Sequence, residues 1–321
     1  MTTRRHLLAA GAALAATPAL AQRWPSQPIR LLVPYPAGGG SDIVARILAE
    51  PLREELGQPV LVDNRVGAGG LIGSEAVARA TPDGHTLLLT AGALAIAPSV
   101  IRNLSFSPQR DLTGVALLAV VPLLIVVRPE SPLRSVADLL ALIRARGSDV
   151  SYASFGIATP PHLVGERIGQ EAGRAMTHVP YRGGAQAMPD ILSGAIDVAL
   201  LDAVSMTPHV TSGRLRALAI TGTRRSSALP GLPTLAEAGV PFEAVGWHGA
   251  FAPARTPPDI LTRLNAAFVK ALALPRVRDA IIAGGSIPIE PPLDLAAWNA
   301  RFNADVEAWG RVARSARIEV E

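Results

Sequence analysis

Short apolar, β-like runs alternate with helical patterns along almost all of the 321-residue chain, and nothing else constrains its fold as strongly. Ile29–Val33 reads as a strand and Asp42–Leu56 as a helix with Ile43, Ile47 and Leu48 inward. Val60–Asp63 follows as a strand, Leu71–Arg79 as a helix and Thr86–Thr90 as a strand. Such alternation buries strands beneath helices on both faces, which predicts α/β units with mainly parallel sheets. Pro51 falls inside the first helix, where its missing N–H predicts a kink or a break. A second series runs from Pro122–Arg128 through helix Val136–Arg146, strand Ser151–Ala153 and helix Pro160–Gly173. It continues through strand Met176–Val179, helix Ala185–Leu192 and strand Asp197–Leu201 to a turn at Gly213 and a strand at Leu215–Ile220. The tail Pro257–Ala313 is mostly helical, with breaks at Pro275 and Gly284–Pro292. Two αβ series and a helical tail predict two lobes: residues 24–122 with 250–321, and residues 123–249. The chain is expected to cross between them near Pro122–Val126 and Val245–Ala250.

The N-terminus stands apart. Arg4 and Arg5 precede the apolar run Leu7–Ala16, and Ala19-Leu20-Ala21 supplies a small-x-small cleavage site. This reads as a signal peptide over residues 1–21, too short for a membrane span, and places the mature chain in the periplasm. Thr3-Arg4-Arg5-His6-Leu7-Leu8 also approximates a twin-arginine signal, so a Sec or a twin-arginine route is open. Without Arg4 and Arg5 the formal charge falls from +4 to +2, and the remaining charges are scattered. Few aromatics and no basic block argue against nucleic acid. The absence of cysteine excludes thiolate catalysis, disulfides and Cys-ligated metals.

The stretch "VPYPAGGGSDIVARIL", residues 33–48, carries a Gly-rich loop from a strand into a helix. Such turns hold anions on helix N-termini. A nucleotide fits poorly: Ser41 and Asp42 stand where a Walker loop has Lys, and Gly38-Gly39-Gly40 is not G-x-G-x-x-G. A nucleophilic serine lacks its elbow, since no G-x-S-x-G occurs and the six histidines are isolated. No His-His or His-Glu pair has metal-ligand spacing, and no metal or cofactor is expected. The plain alternative is a tight turn with Ser41 as N-cap. A second loop, Ser154-Phe155-Gly156-Ile157-Ala158-Thr159-Pro160-Pro161, also joins a strand to a helix, with Thr159 placed as N-cap and Pro160 as first helical residue. Two such loops, one per lobe, suit anion binding without chemistry.

These residues resemble the extracytoplasmic solute receptors of tripartite tricarboxylate transporters, the Bug family. The likeness runs from about Trp24 to the C-terminus. It rests on "VPYPAGGGSD" (33–42), "DNRVGAGGLIG" (63–73), "TPDGHTLL" (81–88), "HVPYRGG" (178–184) and "GRLRALA" (213–219), in that order. The resemblance implies a two-lobed, type II-like periplasmic binding protein that closes on a small carboxylate and hands it to integral-membrane transporter subunits. It implies a receptor and not an enzyme, here taken as a monomer. Carried over, the first loop's ligand role falls on Tyr35, Gly39, Gly40 and Ser41. The second loop contributes Ser154, Gly156 and Thr159, and Asp202 matches an aspartate at the family's cleft.

Structural roles are the alternative elsewhere. Asp42 would compensate the helix dipole, Asn64 and Arg65 would tie the loop after the second strand, and Gly69 and Gly70 would permit close packing. Tyr181 and Gly183-Gly184 could line the cleft or only turn the chain, and His162 and His178 read as structural.

The chain departs from the family in its second loop, usually close to "SSGNGTST". Phe155 and Ile157 replace polar residues, Ala203 follows the cleft aspartate, and Trp247-His248 lies near the second crossing. If Phe155 and Ile157 face the cleft, a ligand with an apolar or aromatic body is favoured over a citrate-like one. Two other readings stand beside this one: an exported serine hydrolase of small esters using Ser41 or Ser154, and a ligand-sensing partner of a membrane kinase.

Overall fold

A computed structural model describes residues 24–157, 159–242 and 245–315. The signal peptide expected over residues 1–21 lies outside them. The chain opens with β1 (Ile29–Val33), α1 (Gly40–Leu56), β2 (Val60–Asn64), α2 (Leu71–Ala78), β3 (Thr86–Ala91) and α3 (Ala93–Val100). A short α4 (Pro108–Asp111) leads into β4 (Leu112–Val121). A second set follows: β5 (Leu123–Val127), α5 (Val136–Arg146), β6 (Ser151–Ser154), α6 (Pro160–Ala172), β7 (Thr177–Pro180), α7 (Gly184–Ser193), β8 (Val198–Asp202), α8 (Ala203–Thr211) and β9 (Arg216–Ile220). The tail holds β10 (Gly246–Pro253), α9 (Pro258–Ala273), α10 (Pro275–Ala283), β11 (Ile287–Pro288) and α11 (Leu295–Ser315).

Two sheets result, ordered β11-β4-β10-β3-β1-β2 and β7-β6-β8-β5-β9. Each is mixed rather than mainly parallel. Parallel pairing is confined to strands joined through helices, β2-β1-β3 in one sheet and β7-β6-β8 in the other. The strands nearest the crossings, β4, β10 and β5, pair antiparallel with their neighbours. Pro122 is all that separates β4 in one sheet from β5 in the other. β10 lies in the first sheet from Gly246 onward, paired with β4 along its length.

Helix α1 runs through Pro51 without a break. Leu48, Leu52 and Leu56 are all buried against the first sheet's core. At about 1.5–3 kcal/mol for each such side chain, their burial outweighs the roughly 3 kcal/mol a helical proline costs. The tail covers the same sheet. Trp298, Phe302 and Trp309 of α11 are buried, and Trp298 meets Trp247 of β10 edge-on at 5.2 Å. Phe251 and Phe302 form a second edge-to-face pair at 5.0 Å. Contacts of this geometry contribute about 0.5–1.5 kcal/mol each beyond their burial.

Candidate functional site

Between the sheets lies a cavity of about 570 Å³, part of it continuous with solvent. Its polar wall is made of helix beginnings. Gly39 caps α1, Gly92 caps α3 and Gly183 caps α7, each without a side-chain capping bond, and all three line the cavity. A glycine cap leaves first-turn N–H groups unanswered by any side chain. Each helix start carries roughly half a positive charge, favouring an anion by about 0.3–1 kcal/mol. Val121, Leu123, Phe155 and Trp247 supply apolar lining to the same cavity.

The first loop is shaped by a buried carboxylate. Asp42 accepts from Gly38 N at 2.8 Å, Arg46 Nε at 2.9 Å and Asn64 Nδ2 at 3.0 Å. Burial alone would raise its pKa, but Arg46, the Gly38 N–H and Asn64 together hold it below the ordinary value. Asn64 also donates to Tyr35 O at 3.0 Å, tying the end of β2 to the loop. Ser41, read as a possible N-cap, instead lies within the first turn of α1, which begins at Gly40. Tyr35 lies across Gly70, whose φ of +101° suits glycine and whose Cβ would come within 3.0 Å of the ring. Burial raises the tyrosine's pKa, with Thr90 and Ala91 acting the other way.

The second loop is folded on itself. Ser154 is fully buried, and its Oγ lies 2.6 Å from His178 Nε2, 3.0 Å from Gly156 N and 3.1 Å from Gly156 O. One arrangement satisfies all three: His178 Nε2–H and Gly156 N–H donate to the hydroxyl, which donates to Gly156 O. Thr159 Oγ1 donates to the same carbonyl at 2.6 Å rather than capping α6. Beneath, the His178 ring stacks on His162 at 4.1 Å and on Tyr152 at 4.9 Å. Burial keeps both imidazoles neutral, lowering His162 to about 4 and His178 to about 3, the latter helped by His162.

Six of the expected residues therefore border this cavity: Tyr35, Gly39, Gly40, Ser41, Phe155 and Asp202. Ser154 and Thr159 do not border it, and Gly156 lines an adjoining space with Gly69, Gly70 and Tyr181. Ile157 points to solvent, 49% exposed, so of the two apolar replacements only Phe155 faces the cavity. Asp202 caps α8, accepting from Ser205 N at 2.9 Å and Ser205 Oγ at 2.8 Å. Burial raises its pKa against those bonds. A Cβ on Gly40 would fall 2.3 Å from Asp202 Oδ1, so the sheets' two halves meet there in close contact.

Sequence reasoning missed the Gly92 cap and gave no cleft role to Arg182 or His248. The motif "HVPYRGG" held a usable signal, since Gly183-Gly184 repeats the strand–glycine–helix pattern of the first loop. Among the described residues no group of three or more His, Asp or Glu side chains is placed to hold a metal, and no helix is long and apolar enough to cross a membrane.

Known proteins share this fold. Residues 44–314 match the model of the tripartite tricarboxylate transporter family receptor. Protein BugT of Bordetella pertussis is 37% identical over 303 residues, covering 93% of this chain and 92% of BugT. The solved structure of the periplasmic binding protein BugD superposes with a TM-score of 0.88 at 33% identity, covering 93% of this chain and all of that one. R. palustris Rpa4515, solved with adipate, gives 0.87 at 31% identity over 92% of this chain and 99% of its own. These are substrate-binding receptors and not enzymes. The chain belongs to the tripartite tricarboxylate transporter receptor family, a family of two-lobed periplasmic solute-binding proteins.

Proposed function

We propose that this receptor captures a small carboxylate with an apolar or aromatic body between two lobes and delivers it to integral-membrane transporter subunits. The lobes would be residues 24–122 with 246–321, and 123–245, moved slightly from the sequence boundary because β10 pairs in the first sheet. The observation that carries the reading is the cavity's mixed lining: glycine-capped helix starts together with Phe155, Trp247, Val121 and Leu123. In this reading the N–H groups of Gly39, Gly40 and Ser41 hold the carboxylate, with Tyr35 behind them, Asp202 lies against Gly40, and Phe155 lines the space left for the ligand's body. Ser154, Gly156 and Thr159 act by holding the second loop in shape. The adipate bound by Rpa4515, a dicarboxylate with a methylene body, supports a carboxylate ligand but does not speak for a single charge. Binding would proceed as a hinge closure of a monomer exported by its signal peptide.

The test is a thermal-shift screen of the mature protein against carboxylic acids, followed by calorimetry. A ligand at a hundred times its Kd adds about 2.7 kcal/mol of stability. Aromatic, branched or long-methylene acids should bind more tightly than citrate and succinate. Citrate or succinate ahead of every such acid would overturn the apolar-body reading, and no binding by any carboxylate would overturn the carboxylate reading itself.

A further inference from the structure

We propose that His248 is the specificity-determining group of this cavity, donating or accepting one hydrogen bond with a hydroxyl or carbonyl on the ligand's apolar body. The inference rests on the carboxylate reading above and adds to it a neutral polar substituent.

His248 sits on β10, 2% exposed, and borders the cavity beside Trp247. Its Nδ1 is buried with no hydrogen-bond partner. A buried polar atom left unpaired is unusual in a folded protein and calls for a reason. The backbone supplies a second observation. The β10–β4 ladder pairs His248 with Ala119 and then Gly249 with Leu117, leaving Leu118 over. This irregularity lies directly beside the histidine, and bulges next to sites serve to re-aim a side chain. Trp247, the preceding residue, is fixed against Trp298 and Phe302, so the strand has little freedom to turn the ring elsewhere.

The chemistry of the partner follows from the ring's surroundings. Burial lowers the imidazole's pKa to about 3, so it is neutral in the periplasm and offers no charge to a second carboxylate. A neutral imidazole has one N–H and one lone pair, which suits a hydroxyl or a carbonyl oxygen. On an otherwise apolar wall that single group discriminates between an acid bearing such an oxygen and the same acid without it.

The experiment is calorimetry with one matched series: 4-methylpentanoate and its 2-hydroxy, 3-hydroxy and 2-oxo derivatives. In the wild-type protein at least one derivative should bind about tenfold more tightly than the parent. In His248→Phe that preference should fall to within about twofold, while His248→Asn, which keeps a donor and an acceptor, should retain part of it. The wild-type series stands alone if a variant fails to fold: parent binding with no derivative preferred overturns the proposal. A preference that survives His248→Phe overturns it as well. If parent and derivatives all fail to bind while another acid of the thermal-shift screen binds, this inference falls and the carboxylate reading stands; if no acid of the screen binds, both fall.

Discussion

The two Gly-containing loops are alike in sequence design and unlike in use. The first loop holds its own carboxylate, Asp42, beneath the turn, so the backbone above faces the cavity. The second turns its hydroxyls inward: Ser154 and Thr159 both bond Gly156, and only Phe155 and Pro160 reach the cavity. One loop supplies polarity and the other supplies shape. A strand–glycine–helix pattern therefore says where a site is, while the partners of its side chains say what each half contributes.

Acid should act on three buried imidazoles, two beneath the second loop and one on β10 of the first sheet. His162, His178 and His248 are held neutral by burial, their pKa values lowered to about 4, 3 and 3. Unfolding would restore values near 6.5, so the unfolded chain takes up protons below that pH that the folded chain refuses. The stabilisation is complete above about 6.5 and is lost as pH falls toward 4. Each group loses up to about 1.4 kcal/mol per pH unit, and Tm should drop by more than about 5 °C between pH 7 and 5. In His178→Gln the drop should be smaller. A melting curve independent of pH over that range would show that the histidine stack is not dry.

The contact between the halves is tested by Gly40→Val. Its side chain would meet Asp202 and Val204, the latter at 3.3 Å even for the Cβ alone. Overpacking of this kind costs about 1–3 kcal/mol, so carboxylate affinity should fall roughly tenfold to a hundredfold while Tm without ligand falls by less, the clash being relieved if the halves part. Equal loss of Tm and affinity would mean that the contact belongs to folding rather than to closure.

The smallest effects separate Phe155 from Ile157. Phe155→Ala should weaken an aromatic or branched acid by about tenfold, with citrate changed less. Ile157→Ser, on the solvent side, should alter stability by less than about 0.5 kcal/mol and affinity by less than twofold. Calorimetry on the pair decides whether one or both apolar replacements matter.

Much of this was legible in the residues. The βα alternation located β1, β2, β3, β6 and β8 within a residue or two, because period and turn residues are local signals. β4 escaped notice because Leu112–Val121 is apolar apart from Thr113 and Gly114, with no alternation to mark it. Antiparallel pairing of β4, β10 and β5 depends on where the chain returns, which is not a local property. The same limit applies at the site. Gly39, Gly40 and Ser41 could be read from their loop, but that Ser154 answers to His178, 24 residues away, could not. His248 was visible only as a neighbour of the second crossing until the fold set it against the cavity.

At the proposed carboxylate site Arg182 would act on the kinetics of capture. It borders both the main cavity and the adjoining space, it is exposed, and among the described residues its guanidinium has no ion-pair partner. A lone positive charge at an entrance raises the encounter rate of a diffusing anion and has little influence on how slowly the anion leaves. With a Debye length near 8 Å at physiological ionic strength, that advantage fades as salt rises. In dilute surroundings, where solute is scarce and ionic strength low, capture would be fastest when it is most needed.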